Sequence, residues 1–198
     1  MTAPARKLAT YADLEAVPPH LVAEIIYGVL ETHPRPVSRH SRASSVLGYE
    51  LIGPYDFGRG GPGGWHFLDE PELHLGRNVV VPDISGWRRE RLPYIPDVAF
   101  LTLAPDWICE VLSPATAKLD RGPKREIYGE AGVSYLWLLD PRERVLEAFQ
   151  RSNGRWQLTG VATGSDAVKL PPFDAVSFPL DDLFGIDPPS SPDPTPQG

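Results

Sequence analysis

The sequence predicts a mixed α/β (α+β) domain, strand-rich and hairpin-rich, with helices packed on a face of its β-sheet. Three observations carry this. Patterned segments follow one another as a strand pair, a helix, several strands, a second helix and further strands. Residues 134–140, SYLWLLD, form a nearly continuous apolar run, as a buried central strand does. The chain has 198 residues, 41% hydrophobic and 23% charged, which is one ordinary domain with room for a core.

Residues 1–9 read as a flexible lead-in. Thr10 is placed to cap a short helix reaching about Ala16, with Asp13 favouring its start, and Pro18-Pro19 stops it. Residues 23–33, AEIIYGVLETH, read as two strands turning at Tyr27-Gly28. A helix is expected from Ser38, as its cap, to about Ile52, with Ala43, Val46, Leu47 and Leu51 on its apolar face and Gly53-Pro54 at its end. Residues 58–64, GRGGPGG, are a loop without the GK[ST] of a phosphate-binding turn. Strands are expected over 65–68, 72–75 and 78–87, and over 106–112, where Trp107, Cys109 and Val111 face one side and Ile108, Glu110 and Leu112 the other. Residues 119–131 read as a helix starting near Pro123 and closed by Gly132. A hairpin over 145–161 turns at Ser152-Asn153-Gly154. The folded domain is expected to span 10–184, and residues 185–198 to form a disordered proline-rich tail.

Composition excludes several classes. A net charge of −7 disfavours a basic, charge-driven nucleic-acid binder, though local basic patches remain. The single cysteine, Cys109, permits no internal disulfide and no cysteine-based zinc site, and its strand neighbours imply a buried, inert thiol. There is no secretory signal pattern and no apolar run of membrane-spanning length, so a soluble cytoplasmic protein is expected.

The chemistry lies in two carboxylates. VVVPDIS sets Asp83, and DWICEVLSP sets Glu110, within strands of apolar residues. A carboxylate there is costly unless paired, hydrogen-bonded or metal-bound. Two such strands in one sheet can bring both carboxylates to one edge, where a divalent cation removes their repulsion; oxygen ligands suit Mg²⁺ or Mn²⁺. Lys124 lies on the helix that follows and could orient a water or stabilise charge developing on a phosphate.

VVVPDIS, DWICEVLSPAT and DRGPKREIYGEAGVSYLWLLDP, in that order, resemble the Uma family of restriction endonucleases, within the PD-(D/E)XK nuclease superfamily. The opening AEIIYGVLETHP and SRHSRAS resemble that family's first hairpin and its histidine-bearing helix. The resemblance covers roughly residues 10–184 and implies a restriction-endonuclease-like mixed sheet flanked by helices. It implies Asp83 and Glu110 as metal ligands, with Glu24 and His40 as further site residues. The superfamily's usual lysine position, two after the second acid, holds Leu112 here; Lys124 on the next helix is the substitute. The implied activity is Mg²⁺- or Mn²⁺-dependent hydrolysis of DNA phosphodiester bonds, by a homodimer or higher homo-oligomer.

Each residue also has a plainer reading. Asp83 after proline is a common turn residue. Glu110 could pair with Arg121 or Arg125; Glu24 could face solvent; His40 could be a surface histidine between Arg39 and Arg42. Lys124 could be a solvated charge, and Tyr128, four residues on, a core residue. Arg35, Arg39, Arg42 and the RRER run at 88–91 could touch a nucleic-acid backbone. Ser113 lacks the surroundings of a serine hydrolase. Two rivals follow: a nuclease-fold scaffold with a weakened site, and a small-molecule pocket lined by the five tryptophans.

Overall fold

The computed structural model describes residues 8–185, so the expected tail beyond 185 and the first seven residues of the lead-in lie outside the described residues. Of the lead-in, Ala9 donates its N–H to Gly28, so order begins before Thr10. Thr10 caps helix α1 (Tyr11–Glu15) in a reciprocal capping box with Asp13.

Strands β1 (Leu21–Ile26) and β2 (Val29–Pro34) form the first hairpin. Its turn residues Tyr27 and Gly28 both have positive φ, the twist a two-residue hairpin turn requires. This hairpin joins β5 (Asn78–Val80) and β4 (Leu73–Leu75) in a four-stranded sheet ordered β2-β1-β5-β4. The larger sheet runs β10-β9-β8-β7-β6-β3. Its members are β3 (Trp65–Asp69), β6 (Ile84–Arg88), β7 (Trp107–Val111), β8 (Tyr135–Asp140), β9 (Val145–Ser152) and β10 (Arg155–Thr163). A small ribbon pairs β11 (Ala167–Val168) with β12 (Phe178–Pro179).

In the large sheet only β7 and β8 are parallel. A parallel pair needs a crossover, and residues 112–134 supply it. This crossover holds α3 (Ala117–Leu119), a wide turn at Asp120–Lys124 and α4 (Arg125–Glu130).

Alternation along β7 separates two cores. Trp107, Cys109 and Val111 face helix α2 (Ser38–Leu51), packing with Leu47, Leu51, Trp137 and Phe173. Ile108 and Leu112 face the crossover and the small sheet, packing with Ile127, Tyr128, Leu138 and Val80. Four of the five tryptophans are core residues, which removes the tryptophan-lined pocket. Phe173 sits among Tyr55, Trp65, Phe67, Trp107 and Trp137, with ring centroids 4.8–5.6 Å away.

Four expectations are corrected. Ser38 is not the cap of α2: it is the first helical residue, and Val37 precedes it without a side-chain cap bond. Gly53-Pro54 does not stop that helix; the chain widens into a π-type turn over Ile52–Asp56, where Phe57 donates to Ile52 five residues back and Pro54 has no N–H to lose. The single strand expected over 78–87 is two, β5 and β6, in different sheets. Pro82 lies between them and offers no donor for a continuous ladder, so Asp83 is a connector residue rather than a strand residue. The helix over 119–131 is broken, because Gly122 takes a non-helical backbone at φ −115°, ψ −105°.

Candidate active site

Register brings the two predicted carboxylates together. Antiparallel β6 and β7 pair Ile84 with Cys109, so Asp83 and Glu110 are the next opposed positions. Asp83 lies where the chain leaves the small sheet for the large one. Its Oδ2 accepts the Val111 N–H at 2.7 Å, and its Oδ1 lies 3.2 Å from His40 Nε2. Helix α2 packs over this end of β7, so His40 is buried in the cleft wall rather than on the surface.

Glu110 faces the crossover because β7 alternates. Asp120, Lys124 and Tyr128 are spaced by four along that crossover and converge on it. Lys124 Nζ lies 2.9 Å from Glu110, 3.1 Å from Glu24 and 3.2 Å from Asp120. The Tyr128 hydroxyl donates to Glu110 Oε1. Glu110 is 2% exposed and Lys124 3%, so neither is a solvated charge. Glu24 enters from β1 and is equally buried. Its Oε1 accepts the N–H of Val81, where β5 leaves the ladder, and its Oε2 faces His33 at 3.4 Å.

The plainer readings resolve against these positions. Arg121 pairs with Glu147, and Arg125 stacks on Phe149, so neither partners Glu110. Arg42 reaches the Asp182 carbonyl, Arg88 stacks on Trp65, Arg89 binds Asp56 and Arg91 binds Asp106, so these arginines brace the fold. Arg35 lines the cleft. Cys109 is fully buried, and burial pushes its thiol well up.

Burial and charge crowding set the electrostatics. Burial raises the Glu110 carboxyl well above its ordinary value; Lys124 opposes this, while Asp120, Asp83 and Glu24 reinforce it. Burial likewise raises Asp120. Burial alone would lower Lys124, yet Glu110, Glu24 and Asp120 hold it well above its usual value. Burial opposes ionisation of Glu24 too, but Lys124, His33 and the Val81 N–H together bring it down to about 2. Burial disfavours the charged His40 ring, and Asp83 more than compensates.

Three carboxylates (Glu24, Glu110 and Asp120) thus surround one lysine, and Asp83 lies opposite Glu110 in the strand register. Asp120 Oδ1 and Glu24 Oε2 are buried, each facing a single cationic partner, Lys124 at 3.2 Å and His33 at 3.4 Å. Such an excess of anionic oxygen donors fits a divalent cation of the Mg²⁺ or Mn²⁺ type. Among the described residues no three His, Cys, Asp or Glu side chains form a ready-made metal cage.

Asp83, Glu110, Lys124, His40 and Asp120 line one cleft of about 250 Å³. A larger open hollow of about 860 Å³, beside Leu8, Tyr27, Arg77 and Glu130, contains none of these buried charges. The five residues singled out from sequence are therefore gathered in one place, with Glu24 behind Lys124. Two were missed. Asp120 was hidden by Gly122-Pro123, which masks its four-residue spacing to Lys124. Tyr128 was noted at that spacing but read as core alone.

A mixed sheet with an internal parallel pair, its crossover bringing a lysine over opposed carboxylates, defines a restriction-endonuclease-like fold. Residues 8–181 match the family Uma2, described as "Putative restriction endonuclease", and the chain belongs to that family. Among solved structures it resembles the crystal structure of "a putative nuclease belonging to DUF820" from Anabaena variabilis ATCC 29413. The TM-score is 0.70 at 22% identity, covering 89% of this chain and 97% of that one, a likeness of fold. None of the curated proteins matches. Among the described residues no helix is long and apolar enough to cross a membrane.

Proposed function

We propose that this protein is a Mg²⁺- or Mn²⁺-dependent endonuclease that hydrolyses DNA phosphodiester bonds in the cleft between the two sheets. The observation that carries the reading is the position of Lys124. The family motif has Leu112 where the superfamily keeps its lysine, and the Lys124 amine lies 2.9 Å from Glu110. A lysine beside Glu110 favours this reading over a nuclease-fold scaffold with a weakened site, which Leu112 by itself would favour.

Asp83 and Glu110 would hold the cation. The chemistry such an ion would supply is activation of a water and neutralisation of charge on the scissile phosphate. The chain's own groups do the rest. Lys124 carries its proton firmly, and its positive charge beside Glu110 would stabilise the negative charge that develops on the phosphate. Glu24 and Asp120 fix the amine, so little reorganisation is needed during reaction. Tyr128 holds Glu110, and His40 holds Asp83. Burial of Glu110 and Lys124 strengthens the interaction between them.

Supercoiled plasmid incubated with Mg²⁺ or Mn²⁺ tests the reading. Wild type is expected to cut single-stranded DNA, and to nick the plasmid where negative supercoiling opens the duplex, and Glu110→Ala and Lys124→Ala to lose the activity by about 10²-fold or more. A folded wild type that binds Mn²⁺ but leaves plasmid and single-stranded DNA intact would refute it.

A further inference from the structure

The depth and rim of the cleft identify the substrate, an inference that rests on the nuclease reading above: we infer that the site takes single-stranded DNA rather than intact duplex. Glu110 and Lys124 are almost wholly buried, at the bottom of a cleft of only about 250 Å³. A duplex is stiff, with a persistence length of about 150 bp, and carries its phosphates on the outside of a broad cylinder. It cannot lower one phosphodiester into so small a space without opening. A single strand can.

The rim resists widening. Pro34, Pro36 and Pro114 line the cleft, and each fixes its own φ. The rim is also partly apolar, through Val22, Val37 and Ala115, with Val37 66% exposed. A duplex presents sugar and phosphate outward and has nothing apolar to offer there. A splayed strand presents base faces.

Charge points the same way. Duplex binding is dominated by rows of Lys and Arg on phosphates. Here the Lys and Arg side chains at the cleft, besides the buried Lys124, are Arg35 and Arg142; the His33 and His40 rings are held by Glu24 and Asp83, and Glu70 lies 3.7 Å from Arg35. Two cations suit a short contact with one flexible strand, in a chain of net charge −7.

The test uses one fluorescent 30-mer as single strand, as blunt duplex and as duplex with a single-stranded flap, with the full chain and Mg²⁺. Single-turnover cleavage of the single strand and the flap is expected to exceed that of the duplex by about 10-fold for each base-pair step that must open. Anisotropy without divalent ion should show single strand bound more tightly, with a slope of log K against log salt of about −1.4, falling to about −0.7 in Arg35→Ala or Arg142→Ala. Duplex cut or bound as well as single strand overturns the inference and leaves the nuclease reading standing. A salt slope steeper than about −4 also overturns the inference, since it requires a phosphate-tracking row. Cleavage of none of the three overturns the nuclease reading, and the anisotropy ranking then decides the strand preference by itself.

Discussion

Replacing Lys124 by methionine keeps most of the side chain's volume and removes the cation shared by three buried carboxylates. Its amine lies 2.9–3.2 Å from Glu110, Glu24 and Asp120. Stripping one partner from a buried ion pair costs about 3–5 kcal/mol. A second route gives the same size: the fall of Glu24 from 4.5 to about 2 corresponds to about 3 kcal/mol, much of it from Lys124. In a domain of this length each kcal/mol moves Tm by about 2–4 °C, so Lys124→Met should melt about 6–20 °C lower at pH 8. The pH dependence has a definite sign. The folded-state pKa of Glu24 is depressed, so its stabilisation is fully present above about pH 4.5 and is lost as pH falls towards about 2. Without Lys124, the Glu110 and Asp120 carboxyls that burial already raises take up protons at higher pH than in wild type, so the gap to wild type should shrink steadily as pH falls from 8. Thermal unfolding followed by circular dichroism at pH 8, 5 and 3.5 measures this. A loss under about 2 °C at pH 8, or a gap that widens on acidification, refutes the buried-lysine argument.

Mn²⁺ at about 100 times its Kd should raise Tm by about 5–11 °C through about 2.7 kcal/mol of linkage, and Glu110→Ala should abolish the rise; an equal rise in that variant would move the metal elsewhere. Tyr128→Phe keeps the ring in the core and deletes the hydroxyl on Glu110, so a loss of about 1.5–3 kcal/mol is expected in urea unfolding, and an unchanged midpoint would mean the bond contributes nothing. Phe173→Ala empties the centre of the aromatic cluster and should cost about 3–5 kcal/mol; since that cluster lies across the sheet from Lys124, Mn²⁺ affinity at low temperature should stay near wild type.

The strands and their faces were legible because alternation is a local property. The pattern at Trp107–Val111 separates the same two sets of side chains that the two cores separate. The caps and turns that depend on one or two residues, Thr10 with Asp13 and Tyr27-Gly28, were legible for the same reason. The five candidate residues came from motif order, and the fold gathers them.

Partnership could not be read along the chain. Glu24, Asp83 and Glu110 sit on segments far apart in sequence, and only sheet register and the Pro82 switch between sheets bring Asp83 and Glu110 to one cleft with Glu24 behind Lys124. Burial turned His40 and Lys124 from ordinary surface residues into members of that cleft. Asp120 became visible only when the broken crossover put it one turn before Lys124, because a bent backbone preserves a shared face that Gly122-Pro123 conceals in sequence. Sequence thus determined which residues carry charge and which strands could hold them; tertiary structure decided which charges meet, because dielectric and distance belong to the packed chain and not to its order.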